Sequence, residues 1–146
     1  MSKKKPTLKE EVSDALSYTI DISTYKAKVI LVYSPKQNVT ELCAQILKAH
    51  NLPDEGPNND GGDGAVTITL SEDRLVYIVM DKNSDISMLH HECIHAATYL
   101  FYLIQTNHNQ STDEVFAYLS DTLFTECYKM LLGQFKIPKK SFLTVE

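Results

Sequence analysis

The alternation of apolar and polar positions along the chain predicts strands first and long helices afterwards. Between Tyr25 and Tyr33 the run AKVILVY is apolar and β-branched, which is the composition of a largely buried strand. Pro35 stops it, and Asn38 or Thr40 can cap a helix reaching about His50 with Leu42, Ile46 and Leu47 on one side. Ala65 to Leu70 (AVTITL) alternates with a period of two, and Arg74 to Met80 (RLVYIVM) is more continuously apolar. Ser71 to Asp73 separates them as a tight turn. Ser84 or Asp85 then caps a helix from about Ile86 to Gln105. A second helix runs from about Thr112 to Leu132, ended by Gly133 and kept from resuming by Pro138. Upstream, Glu10 to Tyr18 reads as a short helix. Strands followed by two long helices predict an α+β domain over residues 8–146, preceded by a flexible basic tail over residues 1–7.

Composition narrows the classes of function. The chain has 146 residues, enough for one domain with a sizeable core and no disulfides. Its net charge of -5 supplies no electrostatic basis for nucleic acid as the main partner, because that binding depends on neutralising phosphates. Cys43, Cys93 and Cys127 are odd in number, widely spaced and free of any CxxC pair, so they read as reduced, buried residues. The N-terminal MSKKKPTLKEE has no apolar signal-peptide core, and the apolar run around Ala96 to Ile104 falls short of the about 20 residues that span a bilayer. The expectation is a cytoplasmic protein with no membrane partner. Asn51 to Gly64 (NLPDEGPNNDGGDG) is a loop dense in turn-forming residues; it lacks the register and closing Glu of a calcium loop.

The chemistry lies in LHHECIHAA, where His91-Glu92-Cys93-Ile94-His95 is an H-E-x-x-H segment. Residues four apart on a helix stack one turn above each other, so the two imidazoles can converge on one ion. Zinc binds neutral imidazole well, and the intervening Glu92 lies beside the ligands, near a water in the open position. At about 100° per residue, His91, His95, Thr98 and Tyr102 share one face, with Glu92 and Tyr99 at its border. Leu89, Cys93, Ala96, Leu100 and Leu103 line the opposite face. His90 points about 100° away from His91 and is not expected to be a ligand.

A catalytic zinc usually has three protein ligands. The metzincin continuation is excluded, since Thr98 and Phe101 stand where its Gly and His would be. In the next helix Glu114, Tyr118 and Asp121 share a face opposite Phe116, Leu119, Leu123, Cys127 and Met130. Glu114 is the leading candidate for third ligand, because the reversal through Asn107 to Gln110 can return it beside His95. Asp121 and the absence of a third protein ligand are the alternatives, and Ser111-x-x-Glu114 is also a capping box.

HHECIHAATYL followed by DEVFAYLSDTL resembles the minimal gluzincin-type zinc metallopeptidases, particularly small examples found among bacteriophage proteins. The resemblance covers about residues 75–131. It implies a zincin-like domain in which His91, His95 and Glu114 bind zinc and Glu92 is the general base. The thermolysin-like E-x-x-x-D pattern is not met, since Tyr118 stands where its Asp would be, and Asp121 is a candidate to orient the histidines instead. The resulting expectation is amide hydrolysis of a peptide or protein substrate, with Tyr118, Tyr102 or His108 as a donor to the developing oxyanion. The rival reading is a catalytically inactive, zinc-stabilised protein that acts by docking on a partner. A fourth protein ligand such as Asp121 would favour the rival, because structural zinc sites are closed.

Overall fold

The computed structural model describes residues 15–53 and 64–132, and these form a four-stranded mixed sheet with helices on both faces. Strand β1 (Leu16–Ile22) passes through a 3-10 turn at Ser23–Tyr25 into β2 (Ala27–Ser34), the connection closing at Lys26 in the left-handed region (φ 52°). Helix α1 (Val39–Ala49), β3 (Ala65–Leu70), β4 (Leu75–Asp81), α2 (Ile86–Leu103) and α3 (Asp113–Leu131) follow. The strand order is β1-β2-β4-β3. The two outer pairs are antiparallel, and the central pair β2–β4 is parallel from Lys28 opposite Leu75 to Ser34 opposite Asp81.

Alternation along the central strands divides them between two cores. Val29, Leu31 and Tyr33 of β2, with Val76, Ile78 and Met80 of β4, pack against α2 and α3. On the other face Val32, Tyr77 and Val79 pack against Val39, Leu42 and Ile46 of α1. Burial on both faces is why these two strands carry nearly unbroken apolar runs. β4 is therefore an interior strand, and the outer edge on that side belongs to β3.

Two expectations are corrected. Leu16 to Tyr18, read as the end of a helix, begin β1, because a full antiparallel ladder with β2 satisfies their backbone groups and Tyr18, Ile20 and Ile22 pack on the core. Residues 10–14 of that reading lie outside the described residues, as do the basic tail, most of the Asn51 to Gly64 loop, Gly133 and Pro138. Helix α2 stops at Leu103, two residues before Gln105, which adopts a left-handed conformation (φ 57°) that ends it. No helix among the described residues is long and apolar enough to cross a membrane.

Capping sets where the helices begin. Asn38 accepts a hydrogen bond from the Glu41 amide at 2.8 Å, and Asp85 accepts one from the Met88 amide at 2.9 Å. The buried Asp81 carboxylate, at the end of β4, accepts from the amides of Val39 (2.9 Å) and Asn83 (2.8 Å), so it ties the start of α1 to the strand that leads into α2. Gly64 enters β3 at φ +130°, and a Cβ there would meet the Met88 sulfur at 2.5 Å; only glycine allows β3 to start this close to α2.

The cap of α2 has a pH signature. The Ser87 hydroxyl, helped by the Met88 and Ser87 amides, holds the Asp85 carboxyl below its ordinary value. The stabilisation is therefore present above the unfolded pKa, near 4, and is lost as pH falls through the lower folded value. Asp85→Ala should cost about 1 kcal/mol at pH 7 in urea unfolding, and the two proteins should converge below about pH 3.

Candidate metal centre

Helix α2 shows three distinct faces. Leu89, Cys93, Ala96 and Leu100 are buried in the core under the sheet. A second flank meets α3 through the edge-on ring contacts of Phe101 with Phe116 (5.3 Å between centroids) and His90 with Phe124 (5.7 Å). The third flank lies along β3, where the Thr67 hydroxyl donates to the Glu92 carbonyl at 3.3 Å and Tyr99 bonds Ser71. His91, His95, Thr98 and Tyr102 remain exposed, as the helical periodicity predicts. Glu92 departs from that pattern, since it is turned inward against β3 and is only 5% exposed.

The two imidazoles converge. His91 Nε2 and His95 Nε2 stand 3.0 Å apart, with ring centroids 4.6 Å apart. Two nitrogens bound to one tetrahedral zinc at about 2.05 Å would be separated by roughly 3.3 Å, so the spacing suits a shared ion with little adjustment. Among the described residues, His91, Glu92 and His95 form the group whose potential ligand atoms all lie within 4.8 Å of one another. Glu92 Oε2 is buried without a hydrogen-bond partner. A buried acceptor in that state is costly unless a proton, a cation or a donor completes it. Burial raises the Glu92 carboxyl above its ordinary value, while His95, His91 and the Thr67 hydroxyl pull it partly back. Two imidazoles and a carboxylate make a donor set that could hold a metal ion such as zinc.

Open space flanks Glu92 on both sides. On the His95 side a depression of about 420 Å³ is bounded by Val66, Thr67 and Thr69 of β3 and by Thr98, Tyr99 and Tyr102 of α2. On the His91 side a second, of about 340 Å³, is bounded by Ala65, Ser87 and Met88. β3 pairs with β4 alone among the described strands, and its residues line both depressions. The β3 residues were not recognised from sequence as part of the site. The alternation in AVTITL carried the signal, because it places Ala65, Thr67 and Thr69 together on one face.

The residues expected from α3 are not brought to this group. Glu114 and Asp121 are exposed and lie outside it. The ring contacts fix the register of the antiparallel pair, and Glu114 falls level with the last turn of α2, roughly 10 Å along the axis from His95 at 1.5 Å per residue. The pair also packs on the flank of α2 away from β3. Of the expected oxyanion donors, Tyr118 is 66% exposed on α3, and His108 is engaged with Asp113 at 2.8 Å and stacked on Phe116. Tyr102 lines the cleft. The three cysteines are buried and form no disulfide, and contact with Cys127, together with burial, pushes the Cys93 thiol up, so Cys93 is not offered as a thiolate ligand.

No family model, curated protein or solved structure matches this chain. The centre is therefore read from its own geometry.

Two variants separate the geometric ligand set from the one implied by the gluzincin resemblance. Elemental analysis of the zinc-loaded protein should give about one zinc per chain for wild type and Glu114→Ala, and less than about a tenth of that for His95→Ala. Loss of zinc from Glu114→Ala would restore Glu114 as a ligand.

Proposed function

We propose that the protein is a zinc-dependent hydrolase, a metallopeptidase that cleaves peptide bonds in a peptide or protein substrate. The observation that carries this reading is the Glu92 carboxylate. It is buried, its Oε2 is unpartnered, and it stands beside two imidazoles whose Nε2 atoms face each other at 3.0 Å. In this reading His91 and His95 hold the metal, and the remaining positions are open to water and substrate. A zinc ion held there would polarise the scissile carbonyl and bring the pKa of a water toward 7.

The remaining steps fall to the chain's own side chains. Glu92 Oε2 accepts the proton of the attacking water and delivers it to the leaving amine nitrogen, the shuttle expected of a carboxylate whose proton affinity burial has raised. The edge of β3, unpaired among the described residues, offers backbone groups to an extended substrate, which would hold the scissile bond beside the histidines. The Tyr102 hydroxyl is the candidate donor to the oxyanion, since it lines the same cleft.

The docking-protein reading requires a closed, four-ligand zinc site. The group of three donors, bordered on both sides by open depressions, favours the hydrolase. Three buried cysteines that form no disulfide suit a reducing compartment such as the cytoplasm.

Glu92→Gln keeps the shape of the side chain and removes its basicity. It should retain zinc while lowering cleavage of a peptide library by at least about 100-fold, measured by mass spectrometry of the products. Undiminished cleavage by Glu92→Gln would remove Glu92 from the mechanism. Zinc-loaded wild type that cleaves nothing would move the protein to the docking reading.

A further inference from the structure

The two depressions beside Glu92 differ in chemistry, and the difference bears on which substrates fit. The one on the His91 side is smaller and mixed in polarity, with the Ser87 hydroxyl and the Met88 side chain at its wall. The one on the His95 side is larger and mainly apolar, and among the described residues its lining contains no Asp, Glu, Lys, Arg or His apart from Glu92 and His95. Its far end is built by two tyrosines. Tyr99 and Tyr102 stack with ring centroids 5.8 Å apart and planes inclined by 28°. The Tyr99 hydroxyl is anchored on Ser71, in the turn between β3 and β4, so the inner ring is fixed to the sheet edge. Tyr102 lies over it and is 70% exposed.

An exposed tyrosine stacked on an anchored one makes a rigid aromatic wall with few rotamers left to lose on binding. Its partner across the depression is β3, whose Thr67 and Thr69 side chains face α2 and whose outer edge is unpaired among the described residues. A peptide added along that edge directs alternate side chains to one face, so every second residue would enter the space between β3 and the tyrosines. The volume of about 420 Å³ lies at the lower end of the range for small-ligand sites, enough for one large side chain. The absence of charge at the tyrosine end disfavours Lys, Arg, Asp or Glu there, because each would lose hydration without gaining a partner.

We propose that the depression between β3 and the Tyr99–Tyr102 stack is a selectivity subsite for one bulky apolar side chain, best an aromatic one, of an extended peptide laid along β3. The proposal rests on the hydrolase reading for its place beside the reacting bond, but the binding it describes can be measured without any cleavage. Tyr102 is the specificity-determining residue, and Tyr99 positions it.

The test uses the full chain carrying Glu92→Gln, loaded with zinc, and two blocked heptapeptides identical except for Phe or Ser at the central residue. Affinities come from titration calorimetry, and the location of binding from backbone amide shifts in NMR. The Phe peptide should bind at least about ten-fold more tightly than the Ser peptide, and its shifts should centre on Val66 to Thr69 and Tyr99 to Tyr102. Adding Tyr102→Ala, an exposed position where truncation leaves the fold intact, should reduce that preference to about two-fold or less. Equal affinity for the two peptides, a preference that survives Tyr102→Ala, shifts centred elsewhere, or no binding of either peptide would each overturn the subsite. Library cleavage by wild type separates the two claims. Selective binding with no cleavage keeps the subsite and loses the hydrolase, whereas cleavage indifferent to aromatic residues does the reverse.

Discussion

The candidate centre depends on how closely α2 lies against the outer half of the sheet. Its buried face is narrow in the middle, where Cys93, Ala96 and Ala97 are at most 1% exposed, with larger Leu89 and Leu100 before and after them. Small residues at a contact let a helix axis approach its neighbour, and they bring the flanking positions with it. Glu92, next to Cys93, is thereby driven into the seam between helix and β3. Gly64 permits the same closeness from the other side, since a side chain there would collide with Met88. The ionisable group is thus held where water is scarce, which raises its proton affinity and leaves one oxygen without a partner.

The histidines, one turn apart on the same helix, stay on the solvent side of that seam. Burying the carboxylate while exposing the imidazoles divides the labour suited to a water-activating centre. In the proposed reading the imidazoles remain reachable by an ion, while the helix beneath the carboxylate is tied to β3 by the Thr67 bond to the Glu92 carbonyl. A coincidental histidine pair would have no reason to stand beside a buried and incompletely satisfied carboxylate, because such a group costs stability unless it is used or completed. Strain of this kind concentrates at functional sites.

Much of this could be read from the chain before any coordinates. Asn38 and Asp85 cap helices as their residue type and position predict, and AKVILVY, AVTITL and RLVYIVM are strands. His91 and His95 share a face because a four-residue spacing on a helix requires it. The misses have a common physical origin. Periodicity describes one element at a time and carries no information on how two elements are rotated or slid past each other. Hence the first turn of α3 makes Glu114 a candidate beside His95, whereas in the structure Glu114 stands outside the group of His91, Glu92 and His95, with the Phe101–Phe116 and His90–Phe124 contacts setting the register of the two helices. Leu16 to Tyr18, the start of β1, read as the end of a helix because the ladder with β2 is a tertiary fact that these residues do not announce. The unbroken apolar run of β4 does signal burial on both faces, and its interior place in the sheet agrees with that.

The most direct test of the account is X-ray absorption at the zinc edge of the zinc-loaded full chain. The centre described here predicts a first shell of nitrogen and oxygen only, at about 2.0–2.1 Å, with the outer scattering of two imidazoles. A sulfur shell near 2.3 Å, more imidazoles than His91 and His95 can supply, or zinc without ordered imidazole scattering would contradict it.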